Sequence, residues 1–372
     1  METGISRIQL VTLMVWLLMA TGLLTLPYAI AHFTVQDGWL VAFVFPAGAL
    51  VSIGVVGKYA HTFPGQSLTS GLASAFGPWL GSLAGLWVVV WFYLTATIVY
   101  RELGLFLELN VLPSTPPYFI HSLMVIPIAI GLWLGVHSIA RTAEFLTPLV
   151  VISMVTIIIL SVQNIDLNQF RPFLSGGVTP VLRASLLPAT SFAIELVVSL
   201  QLLPSLRQPD KLSHDLWIAA GIVALLIFLS EFAVIGTLGN SSTYLNYPVM
   251  EVVRSVRAGE YIERLDTFYV MGLVAVMFLK LGVLAYAGLS ALQQVFHLVR
   301  RAIPSLSLCW TAALWAGSIL LFRDAMTLGN DIVFVTPAYF TVTLVLLPIL
   351  AIIVHGLRNA VHGQQTTTSD TT

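Results

Sequence analysis

Charge is what this chain has least of. Only 33 of its 372 residues are charged (16 Lys+Arg and 17 Asp+Glu), which is 9 %, against roughly 25 % in soluble domains. That scarcity excludes a soluble enzyme, a nucleic-acid binder and a disordered linker, each of which needs a polar, charged surface. A net charge of −1 supplies no basic field to steer anionic partners. Cysteine is nearly absent: Cys309 stands alone inside an apolar run, so no disulfide framework is expected and the compartment stays open. The eight histidines include no His-x-x-x-His pair, so no metal site is expected. No phosphate loop ends in Gly-Lys-Ser/Thr, which argues against ATP-driven transport within this chain. No nucleophile and base stand at a catalytic spacing either, so neither catalytic residues nor a cofactor is expected.

What remains is apolar. Hydrophobic residues make up 58 % of the chain even without its 27 glycines. They fall into ten runs, at about 8–33, 39–57, 79–100, 118–136, 143–162, 181–203, 216–238, 268–292, 306–322 and 332–355. Each approaches the roughly 20 residues that a bilayer-spanning helix needs, and none alternates as the strands of a membrane barrel do. The expected fold is an all-α polytopic membrane protein with ten transmembrane helices. It forms a single transmembrane domain over residues 1–355, followed by a disordered cytoplasmic tail over 356–372. Ala29-Ile30-Ala31 imitates a signal cleavage site, but the first run is longer than a secretory core of about 7–15 residues and is read as a span.

Basic residues in loops set the orientation. With the N-terminus inside, the cytoplasmic segments hold Arg7, Lys58, Arg141, Arg207, Lys211, Arg300, Arg301 and Arg358. The outer segments hold Arg101, Arg171, Arg183, Arg254, Arg257, Arg264 and Arg323. Arg254, Arg257 and Arg264 belong to one long segment and count for little, so both termini are expected to be cytoplasmic.

Two spans carry helix breakers at their centres: Ala20-Thr21-Gly22-Leu23-Leu24-Thr25-Leu26-Pro27 in the first and Pro188-Ala189-Thr190-Ser191-Phe192-Ala193 in the sixth. These spans open two five-span halves, about 8–162 and 181–355. Paired interruptions at corresponding positions point to an inverted-repeat transporter site at the midplane. Broken helix ends there would offer N–H groups to a carboxylate or other small anion. The alternative is a pair of ordinary kinks, since Gly and Pro are frequent in membrane helices.

Three ionisable residues fall within the runs: Glu195, Glu231 and Lys280. Such groups are costly in a membrane and face a cavity or a partner. Lys280 lies roughly 18 Å from either end of its run, beyond the reach of snorkelling. Its ammonium either replaces the cation that sodium-coupled folds of this type hold against span one, or pairs with Glu195 or Glu231. Glu195 suits a proton-coupling carboxylate, a lid on a substrate amine, or a hydrogen bond to a neighbouring helix. Glu231, in the outer third of its span, is expected to reach water. Tyr93 and Thr97 share a helix face and suit either a pocket wall or packing. A short outer helix is expected from Tyr247 to Ile262, with Val249, Val252, Val253 and Val256 on one face. It would serve as a gate, a docking surface or a plain loop helix.

Several segments resemble one family. Ile5-Ser6-Arg7-Ile8-Gln9-Leu10 leading into the span-one break is similar to the opening of the B subunits of bacterial spore germinant receptors, the endospore germination permease family. So are Phe63-Pro64-Gly65-Gln66-Ser67-Leu68, Phe76-Gly77-Pro78-Trp79-Leu80-Gly81, and Glu260 to Asp266 before the span that carries Lys280. The resemblance runs from residue 5 to about 295, and the sequence departs from many relatives in having Phe268-Tyr269 where a tryptophan follows Asp266. It implies the amino acid–polyamine–organocation superfamily and a LeuT-like 5+5 inverted repeat with broken helices one and six. It implies a small-molecule germinant, an amino acid, bound between Thr21, Gly22, Leu23, Leu24 and Ala189, Thr190, Ser191, Phe192, Ala193. It also implies A-type and C-type partner subunits in the spore inner membrane. A proton-coupled amino-acid permease is the alternative function.

Overall fold

In hydrocarbon every backbone N–H and C=O must be paired within the protein, and this chain meets that demand with helices. The computed structural model describes residues 4–256, 265–298, 303–322, 328–329 and 331–369, with side chains to 359. Among the described residues ten helices of membrane-spanning length run Arg7–Ala31, Gly38–Thr62, Pro78–Asn110, Pro117–Leu134, Val136–Asn164, Val178–Ser205, Pro209–Tyr244, Leu265–Val295, Ile303–Leu320 and Asp331–Asn359, here spans one to ten. Of the charges assigned to loops, Arg257, Arg264, Arg300, Arg301 and Arg323 lie outside the described residues, as do Glu260 to Arg264 of the family-like segment. Arg101 does not belong to a loop at all: span three continues past Tyr100 to Asn110.

Spans one and six are the centre of the bundle, each 83 % buried over its most apolar stretch, whereas span five is 11 % buried there and lies at the periphery. Packing respects an exchange of the two halves. Span one lies on span seven as span six lies on span two, while spans two and seven, three and eight, and four and nine each pair an element with its counterpart five spans on. Gly135, at φ +84°, is the single residue between span four and span five, a backbone geometry that costs other residues strain.

Helix one starts on a capping box, with Ser6 and Gln9 exchanging side-chain-to-backbone bonds. At the same face of the molecule, Ile5 N–H donates to Ser205 O at 2.7 Å and Arg207 N–H to Ile5 O at 3.1 Å. Arg7 grips the buried Asp215 at 2.6 and 2.9 Å. Beside them Gln201 of span six, Ser290 and Gln294 of span eight, and Ser67 and Thr69 form one hydrogen-bonded cluster. The ends of spans one, six, seven and eight are thus tied together at this terminal face.

The two interruptions are milder than the sequence suggests. Span one remains a single α-helix through Pro27. Pro27 deprives the Leu23 carbonyl of its usual donor, and the Tyr269 hydroxyl of span eight donates to that oxygen at 3.4 Å. Thr25 Oγ1 donates to Thr21 O at 3.0 Å, adding to the local bonding. Span six stays helical but changes pitch, α over Val178–Leu187, π over Pro188–Phe192, 3-10 over Ala193–Val198, then α again. Both spans therefore stay helical through their interruptions. Replacing Tyr269 by Phe is expected to lower stability by about 1 kcal/mol, read as a fall in Tm of the detergent-solubilised protein; an unchanged Tm would show that the Leu23 carbonyl does not depend on it.

The expected outer helix covers Pro248–Ser255. Its Val249, Val252 and Val253 face inward over an apolar cavity shared with spans five, seven and eight, so this face is covered by the chain itself and is no docking surface. The last helix continues through Ser369, past residue 356 where a disordered tail was expected. Arg358 helps to hold it, donating to Ala75 O at 2.9 Å.

Candidate functional site

Lys280 stands midway along span eight and is 1 % exposed. Its Nζ donates to both carboxylate oxygens of Glu195, at 2.9 and 2.8 Å. The Phe192 ring lies 5.8 Å from the ammonium. Of the two roles open to Lys280, the structure shows the ion pair; the Leu23 carbonyl of span one, which a cation would have served, is taken by Tyr269. Such a pair at mid-depth persists because each charge answers the other's desolvation.

A second carboxyl stands beside this pair. Glu102 of span three is 4 % exposed, and Thr21 Oγ1 donates to its Oε2 at 3.1 Å. Its Oε1 has no partner among the described residues, and neither do the hydroxyls of Thr95 and Ser191. All three residues line one cavity of about 30 Å³ together with Thr21, Phe192, Glu195 and Lys280. Ile98, Val99, Leu187, Ile332 and Phe340 supply its apolar wall. The space suits a water molecule or a group of that size.

Glu102 and Ile332 also belong to a second, larger cavity of about 490 Å³, lined by Leu24, Thr25, Tyr28, His32, Asn246 and Tyr247. These residues lie at the ends of spans one, three and ten away from the terminal face, and in the link from span seven to the outer helix. Glu102 therefore forms a floor between a vestibule on one face and a small polar chamber at mid-depth. Burial, with the carboxylates Glu102 and Glu108 nearby, holds the Tyr247 phenol above its ordinary pKa, so it stays a neutral donor there.

The residues expected at the site divide. Thr21, Ser191, Phe192, Glu195 and Lys280 line the chamber. Leu24 lines the vestibule and Leu23 the apolar cavity beneath the valine helix. Gly22 faces Phe192, where a side chain's Cβ would lie 3.7 Å from the ring. Ala189 turns its carbonyl toward Gly48 of span two, Ala193 is fully buried, and Thr190 donates back to Leu186 O, so these three do not line the chamber. Tyr93 does not line the chamber: it donates to Ala313 O of span nine at 3.0 Å and packs on Trp310. Glu231 does not reach water, being 2 % exposed with Oε1 unpartnered among the described residues.

Glu102 and Thr95 are the residues that sequence reasoning missed. Hydropathy falls at Arg101-Glu102, which reads as the end of a span. The charge is instead absorbed inside the protein, where Arg101 donates to Glu108 at 2.9 Å and His121 approaches the same Glu108 oxygen at 3.0 Å. The spacing 95, 98, 99, 102 puts Thr95, Ile98, Val99 and Glu102 on one helix face, a signal legible only once the helix is extended.

Comparison with known proteins places this architecture. In overall structure the chain resembles MhsT, solved in complex with L-phenylalanine (TM-score 0.66, 16 % identity, covering 95 % of this chain and 99 % of that one). It also resembles a Na⁺-coupled sialic acid symporter (TM-score 0.56, 10 % identity, 90 % and 78 %). Among relatives from Bacillus subtilis (strain 168), spore germination protein YndE is 24 % identical over 302 residues (78 % of this chain, 81 % of the relative). Spore germination protein A2 is 22 % identical over 360 residues (92 % and 93 %). Residues 4–323 match the family described as Spore germination protein, so the chain belongs to that family, a permease-like integral membrane protein of germination.

Proposed function

We propose that this chain is the B subunit of a spore germinant receptor in the spore inner membrane. It binds a small germinant, an amino acid, at mid-depth and signals to A-type and C-type subunits. The observation that carries this reading is the chamber, with Thr21 of span one, Ser191, Phe192 and Glu195 of span six and Lys280 of span eight around it. The vestibule leads to its Glu102 floor from one face, while hydrogen bonds and ion pairs tie the terminal face. With both termini cytoplasmic the vestibule faces outward, toward an arriving germinant. The solved neighbour that holds L-phenylalanine agrees with an amino-acid ligand.

Gly22→Val tests the pocket. The added methyls press on Phe192, and spores carrying the variant are expected to need at least about tenfold more amino-acid germinant at equal membrane abundance, about 1.4 kcal/mol of binding. Unaltered dose dependence would count against the site. The fold is shared with transporters, so counterflow in proteoliposomes separates the two functions: robust substrate exchange by the isolated chain would favour a proton-coupled amino-acid permease.

A further inference from the structure

We propose that the chamber takes the protonated amine of its small organic ligand, with Glu102 as the residue that receives it. This deepens the pocket reading above by naming the part of the ligand that enters. Lys280 is matched by Glu195, whose two oxygens both face its ammonium at 2.8–2.9 Å. Among the described residues Glu102 has no ion-pair partner of its own, feels the Lys280 charge only at longer range, and receives one hydrogen bond, from Thr21. The chamber lining therefore holds two carboxyls and one lysine, with room for one further positive charge.

Three of the buried oxygens that lack partners among the described residues, Glu102 Oε1, Thr95 Oγ1 and Ser191 Oγ, belong to residues that line this one chamber. Three acceptors answer the three N–H bonds of a primary ammonium. They fall short of the 6–8 oxygens a calcium-like cation collects. An anion finds little here, because Lys280 is already held by both Glu195 oxygens and the midplane N–H groups stay within helices. Size agrees too. About 30 Å³ accommodates an –NH₃⁺ head but little more, and Glu102 also floors the cavity of about 490 Å³ in which the rest of a small molecule can lie.

Thermal unfolding of the purified full chain in detergent tests the assignment with three matched panels: the standard amino acids, the carboxylic acids lacking their amines, and the primary amines lacking their carboxylates. At least one amino acid and its matched amine are expected to raise Tm while the amine-free acid does not. Glu102→Gln is expected to weaken the apparent affinity at least about tenfold, and Ser191→Ala to weaken it less. If the amine-free acids stabilise as well as the amino acids and Glu102→Gln changes nothing, the amine assignment is overturned, while a lowered affinity in Gly22→Val would still uphold the pocket. Stabilisation that ignores both Glu102→Gln and Gly22→Val overturns both. A Glu102-dependent rise with sodium chloride over choline chloride makes this an inorganic-cation site, and absence of any rise with amine-bearing compounds also overturns the proposal. Should Glu102→Gln fail to fold, the three panels on the unaltered chain still decide the charge preference.

Discussion

Lys280→Met is expected to destabilise the protein by about 3–5 kcal/mol, because removing one member of a buried pair leaves the other charge uncompensated. The stranded group is Glu195, 4 % exposed at mid-depth. Glu195→Leu strands the ammonium instead and is expected to cost a similar amount. The double variant Lys280→Met/Glu195→Leu removes both charges together and should recover most of the loss, since well-packed apolar replacements of buried pairs are often neutral. Unfolding of all three variants in detergent gives the coupling directly. The effect should survive high salt, which screens exposed pairs but hardly touches one this enclosed. A single variant within about 1 kcal/mol of the parent would show that the pair behaves like a surface one. Recovery of stability in the double variant without recovery of germinant response would assign the pair to the pocket as well as to the fold.

Gly48→Val should show the second large effect, about 1–3 kcal/mol from overpacking. Any Cβ at position 48 runs into the Ala189 carbonyl in the π segment of span six. The obstructing atoms are backbone, so no rotamer change relieves the clash, and spans two and six must separate. Membrane helices rely on such small residues for close approach. Ser191 and Phe192 follow Ala189 directly, so the shift also carries chamber residues, and ligand response should fall along with stability. Gly54→Ala on the same span is the control: nothing lies within 4 Å of its Cβ, and removing a helical glycine should leave Tm equal or slightly higher. Equal behaviour of the two variants would remove the close contact from the account.

Hydropathy and length made the ten spans legible, because lipid demands long apolar helices whatever the function. Pro27 and Pro188 were legible as disturbances but not in their form. Which donor fills a proline's vacancy is a tertiary matter, and Tyr269, far away in sequence, is the donor to Leu23. The Lys280–Glu195 pair was legible as one of two possibilities for a deep lysine. Glu102 was hidden by its neighbour: Arg101 lowers local hydropathy and ends the apparent span, and only the fold shows that Glu108 and His121 surround that charge. For Tyr93 the helix face left pocket wall and packing both open, and its partner, the Ala313 carbonyl of span nine, is visible only in the fold.

The short backbone pairing of Ile5 with Ser205 and Arg207 has a mechanical consequence. It fastens the beginning of span one to the end of span six, so the two helices flanking the chamber behave as rods pinned at one tip. Helices pinned in this way can scissor about the shared tip. A molecule that draws them together at mid-depth must close them further at the unpinned tips, over the vestibule, or else drag the pin itself. In the first case occupancy is written as closure on the vestibule side. In the second it is delivered to residues 4–7 as a displacement, with Arg7 and its grip on Asp215 as the first contact to feel the torque.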